Sequence, residues 1–77
     1  MKVRVKTFAW LRDQAGPGGT LELPEGATPR SVLEQLLGAG HPMAFAVAFA
    51  VNLEYSPGDR PLKDGDEVAL LPPVSGG

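Results

Sequence analysis

Along "KVRVK", residues 2–6, charged and β-branched residues alternate, so Val3 and Val5 point to one side of an extended chain and Lys2, Arg4 and Lys6 to the other. That is the pattern of a half-buried strand. The period then changes. In "TFAWLRDQAGPGG", Phe8, Leu11 and Ala15 recur at helical spacing, Thr7 is placed to cap, and Gly16 with Pro17 halts the run. This predicts a short helix over 8–15, with Gly16, Gly18 and Gly19 as turn residues after it. "TLELPEG" returns to a period of two, with Leu21 and Leu23 inward. It reads as a second strand in a hairpin-like relation to the first, the helix being their connection.

"ATPRSVLEQLLGAGHP" is the clearest helix in the chain. Thr28 suits the N-cap, Pro29 the first helical position, Gly38 the C-terminal cap, and Val32, Leu33, Leu36 and Leu37 form one apolar stripe. "FAVAFAVNLEYS" is an apolar run whose first half also fits a helix, followed by Asn52, which tolerates the left-handed backbone of a tight turn. Pro57-Gly58 and Asp64-Gly65 are turn dipeptides. Val68 to Leu71 is apolar on both sides, which predicts a central strand. With strands first and last and a long helix between, the expected fold is α+β: a mixed β-sheet of the ubiquitin-like β-grasp plan, the main helix on one face and a short helix added. The expected domain is 1–71, with 72–77 a flexible tail.

Composition narrows the chemistry. A chain of 77 residues holds one small core. The absence of cysteine excludes disulfides, a catalytic thiol and a Cys-based zinc site. No apolar segment has membrane-spanning length, so a soluble cytoplasmic protein without a membrane partner is expected. The net charge of −2, with basic residues gathered at Lys2, Arg4, Lys6 and Arg12, gives no extended basic face, so no nucleic-acid partner is expected. "DGDE" lacks the carboxylate spacing of a calcium loop and reads as a turn feeding a strand. His41, the only histidine, has no second ligand for a metal and reads as a loop residue; no metal site is expected. Trp10 reads as a lid over the core edge or a partly exposed ring.

The ending "PPVSGG" reads as a segment without a packing role. Six residues span roughly 20 Å when extended, and Pro72 and Pro73 favour that form while donating no amide to a sheet. Gly76 and Gly77 lack a Cβ, so another protein's backbone can close around them. The remaining functional group is the α-carboxylate, with a pKa of about 3.5. Ionised, it is a poor electrophile and becomes useful only when another protein activates it, for instance as an acyl-adenylate.

"FAWLRDQAG", "AVNLEYS" and "PLKDGDEVALLPPVSGG" resemble the small, sulfur-carrying subunits of molybdopterin synthase, ubiquitin-like proteins of the β-grasp fold. The similarity spans essentially the whole chain, and the combination of "DGDEV" with the closing "PPVSGG" is its most specific part. The resemblance implies a carrier that is not an enzyme on its own. An adenylyltransferase like those that activate ubiquitin uses ATP to adenylate the carboxylate of Gly77, and a persulfide donor converts it to a thiocarboxylate. The tail, Pro72, Pro73, Val74, Ser75 and Gly76, then enters the active site of the large synthase subunit, where sulfur passes to cyclic pyranopterin monophosphate. No cofactor is bound permanently. The resemblance also implies a partner surface of Phe8, Tyr55 and Leu71. Alternatives are a sulfur carrier for thiamine or tRNA thiolation, a ubiquitin-like modifier joined to lysines, and a binding module with an incidental tail.

Overall fold

The first strand, β1 (Lys2–Thr7), keeps the alternation read from its sequence: Val3, Val5 and Thr7 are buried while Lys2, Arg4 and Lys6 are exposed. The chain continues through α1 (Ala9–Ala15), β2 (Gly18–Glu22), α2 (Pro29–Leu37), a single 3₁₀ turn at Ala44–Ala46, β3 (Ala48–Val51), β4 (Glu54–Ser56) and β5 (Glu67–Leu71). The structure is a computed structural model, and it describes residues 1–42 and 44–73. The expected tail residues Val74, Ser75, Gly76 and Gly77 lie outside the described residues.

The five strands form one mixed sheet in the order β2-β1-β5-β3-β4. β5 is central and runs parallel to β1, with Val5 opposite Val68 and Thr7 opposite Leu70. β3 is antiparallel to β5, and β2 is antiparallel to β1. The expected neighbourhood of first and last strands is thus present, as is the β-grasp arrangement. Both helices cover the same face. There Leu11 of α1 and Val32 and Leu33 of α2 meet Val3, Val5, Phe49, Val51, Val68 and Leu70 in one core. Each fully buried Leu or Val is worth about 1.5–3 kcal/mol, so this single layer carries most of the stability available to so short a chain.

α2 begins as its sequence dictates. The Thr28 hydroxyl accepts from the Ser31 amide at 3.2 Å, the Ser31 hydroxyl accepts from the Thr28 amide at 2.8 Å, and Pro29 stands in the first turn. α1 differs from its expectation. Thr7 does not cap it, because its backbone belongs to β1; its buried hydroxyl instead donates to the Gly16 carbonyl at 2.5 Å, tying the end of β1 to the end of α1. Phe8 occupies the N-cap position without a side-chain capping bond and turns outward, off the Leu11 stripe. Gly18 and Gly19 are strand residues of β2, not turn residues. Gly18 pairs with Lys6 at φ 89°, where a Cβ would run into the Val5 carbonyl oxygen, so only glycine lets β2 approach β1 here.

Two further side chains have more defined places than their sequence showed. Trp10 is half-buried against the core edge, and its ring stacks on His41 with centroids 6.3 Å apart and planes 15° from parallel. His41 Nε2 lies 2.9 Å from Gln14 Oε1, which ties the loop after α2 to α1. Among the described residues no helix is long and apolar enough to cross a membrane, and no group of three or more His, Asp or Glu side chains could hold a metal ion.

Candidate functional site

With both helices on one face, the opposite face of the sheet is left open, and strand register decides what it displays. Lys6 of β1, Ala69 of β5, Ala50 of β3 and Tyr55 of β4 are successive partners in a row that crosses four strands. The two central positions of this row are alanines, and its two ends are long side chains. The result is a shallow groove of about 300 Å³ whose floor is Ala50 and Ala69. Its walls are Lys6, Phe8, Leu53, Tyr55, Glu67 and Leu71.

Three of the apolar wall members are unusually open to solvent. Phe8 is 45% exposed, Tyr55 84% and Leu53 87%. Apolar side chains of this size clustered around one depression mark an interaction surface more often than scattered surface residues do. The three residues expected at a partner surface, Phe8, Tyr55 and Leu71, come from the N-cap of α1, β4 and β5, and the fold brings all three to this groove. Leu71 is also the last residue of β5, so the groove lies at the root of the segment that continues into Pro72 and Pro73. Phe45 is exposed as well, but it stands on the 3₁₀ turn and does not line the groove.

Polar groups fix one end of the groove. The Glu67 carboxylate is mostly covered and lies 3.7 Å from Arg4 and 3.6 Å from Lys6, whose side chains are themselves largely in water. Such pairs are worth little in stability, but they hold a charged rim beside the apolar floor. Next to it, "DGDE" forms a hydrogen-bonded turn and not a cation site. Asp64 accepts from the Lys2 amide at 2.7 Å. Asp66 accepts from the Lys63 amide at 2.8 Å and from the Asn52 side-chain amide at 2.9 Å. Asn52 closes the set by accepting from the Glu67 amide at 3.0 Å.

The Lys63 amide bond, with help from Asn52 and the charges of Arg60 and Lys63, holds the Asp66 carboxyl below its ordinary range against a smaller opposing effect of burial. A carboxylate whose folded pKa is depressed stabilises the fold above its unfolded pKa and loses that contribution as pH falls through the folded value. Asp66→Asn removes this titration. The native chain is therefore expected to lose more melting temperature than Asp66→Asn between about pH 5 and about pH 3, measured by thermal denaturation; equal losses would contradict the assignment.

Leu53, Ala50, Ala69, Lys6 and Glu67 were not singled out by the sequence. The signal for the alanines was present, since they are outward positions in two apolar strands, but only the register shows that they adjoin.

A β-grasp domain with an apolar groove on the open sheet face, at the root of a Gly-Gly segment, defines the class of small ubiquitin-like carrier proteins. Comparison with known proteins places it more closely: the chain belongs to the ThiS family, whose model matches residues 5–77. It is 45% identical to the molybdopterin synthase sulfur carrier subunit of Chlamydomonas reinhardtii, with each chain covered completely. Among solved structures it is similar to small archaeal modifier protein 1 of Haloferax volcanii, at 29% identity and TM-score 0.74, covering 95% of this chain and 98% of that one. It is also similar to a chain in the complex of subunits 1 and 2 of the molybdopterin-converting factor from Helicobacter pylori, at 29% identity and TM-score 0.67, with full coverage of both.

Proposed function

We propose that this chain is the sulfur carrier of a molybdopterin synthase, loaded at Gly77 and emptied inside a larger subunit. The observation that carries the reading is similarity to such a carrier over the full length of both chains, in a chain that closes on "PPVSGG". The chemistry follows from the end group. The Gly77 carboxylate attacks the α-phosphorus of ATP in an activating enzyme, and pyrophosphate leaves. A persulfide sulfur then displaces AMP from the acyl-adenylate, and thiol cleavage of the sulfur–sulfur bond leaves a thiocarboxylate. The carrier supplies no catalytic pocket for these steps; its own contribution is recognition. The groove of Phe8, Tyr55 and Leu71 seats the body on its partner, and Pro72 to Gly76 reach into the partner's active site, where sulfur is given to cyclic pyranopterin monophosphate.

A second reading, a modifier joined to lysines through Gly77, is favoured by the similarity to an archaeal modifier protein. The two uses share the adenylate and differ in the nucleophile that follows. Reconstitution separates the proposed role from carriers of other pathways. The thiocarboxylated chain, mixed with the large subunit and the pterin precursor, is expected to yield dithiolene product in proportion to the sulfur supplied. Absence of product with a large subunit that works with its own carrier would overturn the assignment.

A further inference from the structure

The turn between β3 and β4 combines features that the fold itself does not require. Asn52 and Leu53 are its two central residues, with Val51 paired to Glu54 on either side, and both have left-handed backbones, at φ 51° and φ 69°. A two-residue hairpin loop of this kind strongly favours Asn followed by Gly, because the second position penalises any Cβ. Asn52 obeys that rule. Leu53 breaks it, and nothing among the described residues compensates, since the side chain is 87% exposed and buries almost no surface. A local rule broken without an intramolecular gain points to an intermolecular one.

The turn is also held rigidly. The Asn52 amide donates to the Glu67 carbonyl at 2.8 Å, while its side chain bonds Asp66 and the Glu67 amide, fastening the hairpin tip to β5. Leu53 is therefore displayed on a fixed mount at the wall of the groove, continuous with Tyr55. We infer that Leu53 is a specificity-determining anchor, a branched side chain held out on a strained turn to enter an apolar recess of the large subunit that accepts the sulfur. The inference rests on the carrier reading and assigns a residue to its docking step.

The experiment measures affinity and melting temperature together for the full chain and its Leu53→Gly, Leu53→Asn and Leu53→Met variants, with the large synthase subunit from the same source. Leu53→Gly and Leu53→Asn relieve the backbone and remove the apolar branch. Both are expected to melt at or above the native temperature while binding about 10- to 100-fold more weakly. Leu53→Met keeps an apolar side chain and is expected to stay within about threefold. Stability and affinity moving in opposite directions is the signature that a purely structural residue would not give. Native-like affinity of Leu53→Gly, beside a native chain that binds, overturns the anchor and leaves the carrier reading standing. A clear fall in the melting temperature of both Leu53→Gly and Leu53→Asn shows that Leu53 serves the fold and also overturns it. Failure of the native chain to bind overturns the carrier reading and the anchor together.

Discussion

Deleting Gly77, or adding one residue after it, is expected to lower sulfur transfer to background, on the order of 10³-fold or more, with the melting temperature unchanged. The chain contains no cysteine, so within the proposed cycle the end carboxylate is the one place where sulfur can be held. An added residue turns the Gly77 carboxyl into an amide and moves the new carboxylate about 3.5 Å outward. A shift of that size is large, because misplacement of a reacting atom by about 1 Å already costs on the order of 10²-fold. Among the described residues the buried core ends at Leu70, seven positions before the altered end. Product formation with the large subunit, read beside a thermal melt, checks both halves; near-native transfer by either variant would contradict the role of Gly77.

Ala69→Phe is expected to weaken docking sharply by the opposite route, with the tail intact. Ala69 lies in the central strand, but its side chain forms the groove floor and takes no part in the buried core. Phenylalanine suits a strand, so the domain still folds while the ring fills the depression that a partner's apolar side chain is proposed to occupy. Losses at the centre of such an interface are typically about 2–4 kcal/mol, which corresponds to roughly 30- to 700-fold in affinity. Titration against the large subunit, with circular dichroism to establish folding, gives the answer. Unchanged affinity would mean that the open sheet face is not the docking surface.

Much of this was readable before any geometry. The apolar run from Val68 to Leu71 announced a central strand, and β5 is central, with Val68 and Leu70 in the core and Ala69 and Leu71 on the open face. Thr28, Pro29 and Gly38 bounded α2 because capping is a local property. What escaped the sequence depends on contacts between distant segments. Thr7 looks like a cap until its pairing with Leu70 commits it to the sheet. Gly18 looks like a turn residue until the Val5 carbonyl is seen where its Cβ would stand. Ala50 and Ala69 carry no chemistry alone and become a groove floor only through the register that aligns them. Leu53 was legible in part: Asn52 announced the turn, and the absence of glycine after it was the clue.

Intact mass of the chain after incubation with its activating enzyme, ATP and a sulfur source bears most directly on the central claim. The expected product has one oxygen replaced by sulfur, located by fragmentation at Gly77, and the change is absent when ATP is withheld. An unaltered chain, with the activating enzyme proven competent on its own carrier, would contradict the account.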